Sequence, residues 1–93
     1  MINQIKLNKL ILKVLKNYES KVAMINDLTN LGLSHHSAMI LELLLLNKSY
    51  DDIKRVLLFT DNIFDKKIDE IYNKLKHYKS NKSMFDFVKL KGA

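Results

Sequence analysis

The stretch Ser49-Tyr-Asp-Asp-Ile-Lys-Arg-Val-Leu-Leu-Phe-Thr-Asp-Asn-Ile-Phe-Asp-Lys-Lys-Ile-Asp-Glu-Ile-Tyr-Asn-Lys-Leu75 decides the fold. Ser49 is a good helix N-cap, and Asp51 and Asp52 follow in the first turn, where carboxylates favour the helix dipole. That helix directs Ile53, Val56, Leu57 and Leu58 inward. Leu58-Phe59-Thr60 is a tight break, with Phe59 filling the turn. Thr60 caps a second helix from Asp61 to about Lys76, in which Phe64, Ile68, Ile71 and Leu75 recur at helical spacing as a core stripe. Two apolar helices joined by a three- to four-residue break make a helix-turn-helix. The pair shares a small core and leaves the outer face of the second helix free for a groove.

The flanking segments are also helical. Residues 3–18 place Leu7, Leu10, Ile11, Val14, Leu15 and Tyr18 on one arc and Lys6, Lys9, Lys13 and Lys16 on the opposite one. Ile2, Ile5 and Leu12 lie off the main apolar face, available to a second chain or a later helix. Ser20 caps a short helix from Lys21 to Leu31, with Val22, Ile25, Leu28 and Leu31 as its apolar positions, and Gly32 stops it. Ser34 caps His35 to Leu46, which is apolar almost all round and belongs at the centre. After Leu75, Lys79-Ser-Asn-Lys82 reads as a polar link and Ser83–Leu90 as a last short helix. The expected fold is all-α, a single domain over 1–93 of five to six helices with the helix-turn-helix at 49–75.

Composition narrows the function. The 93 residues contain no Cys, no Pro and two Gly. The lack of Cys excludes a disulfide scaffold, a thiolate zinc site and a cysteine nucleophile; two glycines exclude a Gly-rich phosphate loop. The net charge of +6 points to acidic partners, nucleic acid first. It is unevenly spread. Residues 1–18 carry four Lys and no acid, residues 19–73 are net acidic, and residues 74–93 carry six Lys against Asp86. The start of the chain lacks the apolar core of a secretory signal. Met39–Leu46 is too short to span a bilayer and contains Glu42. A soluble cytoplasmic protein is expected.

Residues 33–75 resemble the LuxR/GerE-type helix-turn-helix, the four-helix DNA-binding module of transcriptional regulators. The matching residues are Leu33-Ser34, Ile40-Leu41-Glu-Leu-Leu44, Asn47-Lys-Ser49, Asp52-Ile53, Leu57, Phe59-Thr60, Phe64, Ile68 and Lys74-Leu75, without a gap. The resemblance implies DNA binding and dimerisation through a helix outside the helix-turn-helix, here the first or the last. The chain departs from the family at three places: Lys54 stands where a small residue is usual, Ser37 where Glu is usual, and Ile63-Phe64 where Thr-Val is usual. The recognition helix also carries Asp61, Asp65, Asp69 and Glu70, which repel phosphate.

Other constellations are weaker. Ile25–Ala38 contains a Leu-Gly-Leu-Ser turn that would place His35, His36 and Ser37 at the head of a reading helix, but that helix is too apolar to lie in a groove. His35 and His36 diverge by about 100° on a helix and cannot easily share a metal ion. Ser34, Ser37, His35 and Asp27 lack a nucleophile elbow or oxyanion loop, so no enzyme and no cofactor are expected.

The sequence thus points to a small DNA-binding regulator. Asn62 and Lys66 would face base edges and Lys67 phosphate. Lys48 and Tyr50 at the start of the supporting helix, with Lys74, Lys76, Lys79 and Lys82, would grip the backbone of double-stranded DNA. Tyr72, Tyr78, Phe85 and Phe87 are interleaved with the C-terminal lysines, a pattern that also suits single-strand stacking. The Lys6/Lys9/Lys13/Lys16 face reads as solvated surface, as a phosphate contact or as a membrane-surface helix. The rival reading is a helical accessory subunit, of phage or mobile-element type, that docks on another protein.

Overall fold

The computed structural model describes residues 1–92, with side chains through His77. Its described residues form five helices and no strand: α1 Gln4–Leu15, α2 Lys21–Asn30, α3 His35–Leu45, α4 Tyr50–Leu57 and α5 Asp61–Gly92. The all-α expectation holds. The expected break at 79–82 is not there, and the backbone of α5 continues through it. That segment contains neither Pro nor Gly, and Lys, Ser and Asn all tolerate helix interior positions.

Side chains at the four N-caps explain where the first four helices start. Asn3 Oδ1 accepts from the Ile5 amide at 2.7 Å, Ser20 Oγ from Ala23 at 3.1 Å, Ser34 Oγ from Ser37 at 3.3 Å and Ser49 Oγ from Asp52 at 3.2 Å. Each satisfies an amide that the helix itself leaves open. Thr60 does the same for α5, more weakly, with Oγ1 3.4 Å from the Ile63 amide.

Three helices end by one device, a left-handed residue after the last turn. These residues are Gly32 (φ 105°), Asn47 (φ 63°) and Leu58 (φ 57°). In each case the next amide reaches back to a carbonyl five residues earlier: Leu33 to Leu28, Lys48 to Leu43 and Phe59 to Lys54, at 3.0–3.1 Å. This is the Schellman ending. Glycine and asparagine suit it, whereas leucine does not. The turn also swings the Leu58 side chain out, leaving it 87% exposed rather than inward.

The core gathers on α5, where Phe64, Ile68, Ile71 and Leu75 are fully buried. α1 and α3 make the most extensive contacts with it, and α2 packs on both α3 and α5. α1 contributes Leu7, Ile11 and Val14; α3 contributes Ala38, Ile40, Leu41 and Leu44; α4 contributes Ile53. α2 is turned from its expected face. Met24 and Leu28 are buried, while Val22 is 66% exposed and Leu31 is also exposed. Met24 and Leu28 stand four residues apart and share one stripe with the following turn's Leu33, and Val22 lies off it. Val56 is exposed too, because Ile53 and Leu57 occupy the one inward line of the short α4.

The start of α1 is latched to α4. Gln4 Nε2 donates to the Lys48 carbonyl at 2.9 Å, and Gln4 Oε1 accepts from the Tyr50 amide at 3.0 Å. The Tyr50 hydroxyl donates to the Ile2 carbonyl at 2.9 Å, and its ring meets Phe64 edge-on at 5.1 Å. At the other end of α1, the Tyr18 hydroxyl donates to Asp27 Oδ2 at 2.5 Å and ties the α1–α2 turn to α2.

The left-handed Leu58 yields a stability test. Leu58→Gly removes the steric cost of that conformation and gives up little packing, so the variant is more stable by about 1 kcal/mol. Urea denaturation should show a higher midpoint at unchanged slope; a lower midpoint would contradict the assignment.

Candidate nucleic-acid interface

The basic residues at the two ends of the chain meet in space. On α1, Lys6, Lys9 and Lys13 fall within about 60° of one another around the helix axis. α1 lies against α5, and Leu7, Ile11 and Val14 turn inward, so this row borders the seam between the two helices. The seam is a groove of about 240 Å³ lined by Lys6, Lys9, Leu10, Lys13, Tyr72 and Lys76. Its floor carries one aromatic ring. Lys6 Nζ lies 5.6 Å and Lys76 Nζ 5.4 Å from the Tyr72 ring centroid. At a partly exposed site each such contact is worth about 0.5–1 kcal/mol.

No carboxylate among the described residues lines this groove. Among the described residues the ion pairs within 4 Å are Lys54–Asp51, Lys54–Asp61 and Arg55–Asp52. None involves Lys6, Lys9, Lys13 or Lys76. Four ammonium groups around one groove attract polyanions, because paired carboxylates do not cancel their field.

The acids of α5 divide into two kinds. Asp61 accepts from Lys54 Nζ at 3.1 Å, and this hydrogen bond raises the lysine's pKa against a smaller effect of desolvation. The same ammonium lies 5.7 Å from the Phe64 ring centroid. Lys54, a departure from the LuxR/GerE-type pattern, thus lies across the α4–α5 turn. Glu70 caps α3: the Ser34 amide donates to Oε2 at 2.8 Å and the Ser34 hydroxyl to Oε1 at 3.2 Å. One turn on, Lys74 Nζ donates to the Leu31 carbonyl at the end of α2, at 3.1 Å. α5 thus holds the α2–α3 turn from both sides, an anion at a helix N-terminus and a cation at a helix C-terminus. Gly32 makes room for this: a Cβ there would sit 3.1 Å from Lys74 Nζ. Of the other two acids, Asp69 is exposed and Asp65 half-buried.

The residues expected to contact DNA therefore fall into separate groups. Asn62 and Lys66 are exposed on the outer face of α5, and Lys67 is half-buried beside Glu70. Lys76 belongs to the α1–α5 groove. Lys48 is exposed at the α3–α4 link. Tyr50 is committed inward through Ile2 and Phe64, and burial pushes its hydroxyl up to about 12. Lys74 is committed to the α2 C-terminus. The side chains of Lys79, Lys82, Phe85 and Phe87 lie outside the described residues. At the upstream Leu-Gly-Leu-Ser turn, Ser37 is fully buried and so faces away from any ligand. His35 and His36 are exposed, and the His36 ring meets Phe59 edge-on at 5.7 Å. What the sequence reading missed is the partnership of Lys6, Lys9 and Lys13 with Tyr72 and Lys76. The signal was the lysine row on one helix and a tyrosine among lysines on another.

On the other flank of α1 the surface is mainly apolar, with Asn8, Lys21, Glu42 and Asn47 at its grooves. A groove of about 320 Å³ between α1 and α3 includes Leu12, Leu15 and Leu45, and an adjoining one of about 250 Å³ between α2 and α3 includes Val22, Ile25 and Leu46. Among the described residues no helix is long and apolar enough to cross a membrane. No protein-family model, curated protein or solved structure matches the chain.

The Glu70 cap makes stability depend on pH. Burial raises the Glu70 pKa, but the hydrogen bonds from Ser34, helped by Ser37 and the nearby Lys67 charge, outweigh it and leave the value below the ordinary 4.5. A carboxyl with a depressed folded-state pKa stabilises the fold above 4.5, and the contribution fades as pH falls toward the folded value. Glu70→Gln should cost about 1 kcal/mol at neutral pH, as for a lost cap. Denaturation midpoints measured from neutral to acid pH should converge for the two proteins. A gap that persists unchanged in acid would mean that the charge of Glu70 is not what holds α3.

Proposed function

We propose that the chain is a small, non-catalytic, cytoplasmic DNA-binding protein that grips duplex phosphates with the lysine face of α1 and α5. The observation that carries this reading is the convergence of Lys6, Lys9, Lys13 and Lys76 on one groove, with no carboxylate among the described residues paired to them. The α4–α5 helix pair, with Asn62 and Lys66 exposed on its second helix, supports a role as a transcriptional regulator of the helix-turn-helix kind. Glu70 is engaged by Ser34, and the exposed Asp61 is paired with Lys54, so two of the four acids on that helix carry a partner within the protein. A dimer would present two such faces to two half-sites.

A second reading, a helical module that docks on another protein, is favoured by one feature: the apolar surface around Leu12, Val22 and Leu46, each more than half exposed. The two readings use opposite flanks of α1 and make different demands on salt.

Duplex binding is tested by an ionic-strength series. The affinity of the wild-type protein for a generic duplex should fall steeply as salt rises, because each neutralised phosphate releases counterions. Lys9→Gln with Lys13→Gln should lower the slope of log affinity against log salt by about 1.8, two phosphate contacts at about 0.9 each. Absence of duplex binding at low salt would reject the proposal in favour of the protein-docking reading.

A further inference from the structure

We infer that the α1–α5 groove is a defined phosphate-oxyanion clamp, and that Tyr72 is its positioning residue. The inference rests on the nucleic-acid reading for its natural ligand, but its geometry stands separately. Lys6 comes from α1 and Lys76 from α5, yet both ammonium groups sit over the same ring, at 5.6 and 5.4 Å from its centroid. Two like charges gathered near one ring repel each other, and an anion entering the groove that both line relieves that repulsion. Helical i, i+4 spacing brings Lys76 to Tyr72, and the ring's negative face favours both ammonium groups, which make no ion pair among the described residues. Asp69 and Asp65, about one and two turns back along α5, make no ion pair with these lysines.

The groove's size selects the ligand. About 240 Å³ is below the usual range of a small-molecule pocket, roughly 300–1,000 Å³, and admits an oxyanion rather than a large cofactor. Lys9 and Lys13 extend the same cationic line along α1. Lys6 to Lys13 covers about 10 Å of helix, a length that about three phosphate-to-phosphate steps of one strand also cover along the duplex axis. The ligand class is therefore a run of phosphates, supplied by a nucleic-acid backbone or by a free polyphosphate.

The test compares wild type, Lys6→Gln/Lys76→Gln, Tyr72→Leu and Tyr72→Phe, each checked for helicity by circular dichroism. Inorganic tripolyphosphate and a generic duplex are the two probes, both at low salt. The inference expects the double lysine variant to lose saturable tripolyphosphate binding and to lower the duplex salt slope by about 1.8. Tyr72→Leu, folded but without the ring, should bind tripolyphosphate about 5–10-fold more weakly, while Tyr72→Phe, which keeps the ring face, should match wild type. If the duplex binds and neither the lysine pair nor Tyr72→Leu alters affinity or slope, the clamp is overturned and the nucleic-acid reading survives. If wild type binds tripolyphosphate through these residues but not the duplex, the clamp stands with free polyphosphate as its ligand and the nucleic-acid reading falls. Binding of neither probe overturns both.

Discussion

The inner face of α5 is the wall on which the other helices depend. Phe64, Ile68, Ile71 and Leu75 are fully withdrawn from water, and α1, α2 and α3 all bury apolar side chains against the same helix. Burying side chains of this size is worth about 1.5–3 kcal/mol each relative to exposure. α4 is too short to supply such a wall and buries only Ile53. It works as a bracket: its first residue, Tyr50, packs on Phe64 and holds the start of α1 through Gln4 and Ile2. The rotation of α1 about its axis is thereby fixed, and with it the direction in which the lysine row points.

Charge is distributed by the same framework. Helix ends need counter-charges, and α5 supplies two of them from one flank, Glu70 to the start of α3 and Lys74 to the end of α2. Lys54 and Asp61 close the α4–α5 turn on each other. These side chains serve the fold, and using them there removes them from the balance that an approaching ligand meets. What remains at the α1–α5 seam is a set of lysines with one aromatic ring, so a protein with an acidic middle segment still presents a cationic groove.

Much of the fold was legible in the residues themselves. The stripe from Phe64 to Leu75 and the caps Ser20, Ser34, Ser49 and Thr60 depend on local spacing and hydrogen bonding. Gly32 marked its turn because only glycine enters that conformation freely. Leucine is a poor signal for the same kind of turn, so the sequence pattern points Leu58 inward where the fold turns it out. Val22 and Val56 were assigned inward because apolar spacing fits more than one face of a short helix, and packing against α3 and α5 decides between them. The break at 79–82 was inferred from polarity, yet polar residues without Pro or Gly continue a helix. At the candidate site, Lys76 was recognised as basic surface, and Tyr50 and Lys74 were also assigned there. Their real partners, Ile2 and Leu31, are more than 40 residues away in the chain. The pairing of Lys6 with Tyr72 is equally long-range, and no local pattern encodes it.

In the proposed function, the seam between α1 and α5 is the surface that meets a polyanion. The most direct test is an amide and lysine side-chain NMR titration of the intact protein with a generic duplex at low salt. Shift changes should concentrate at Lys6, Lys9, Lys13, Tyr72 and Lys76, with the α2–α3 surface around Val22 and Leu46 unmoved. Changes centred on Val22 and Leu46 with a silent α1–α5 seam, or no changes at all, would contradict it.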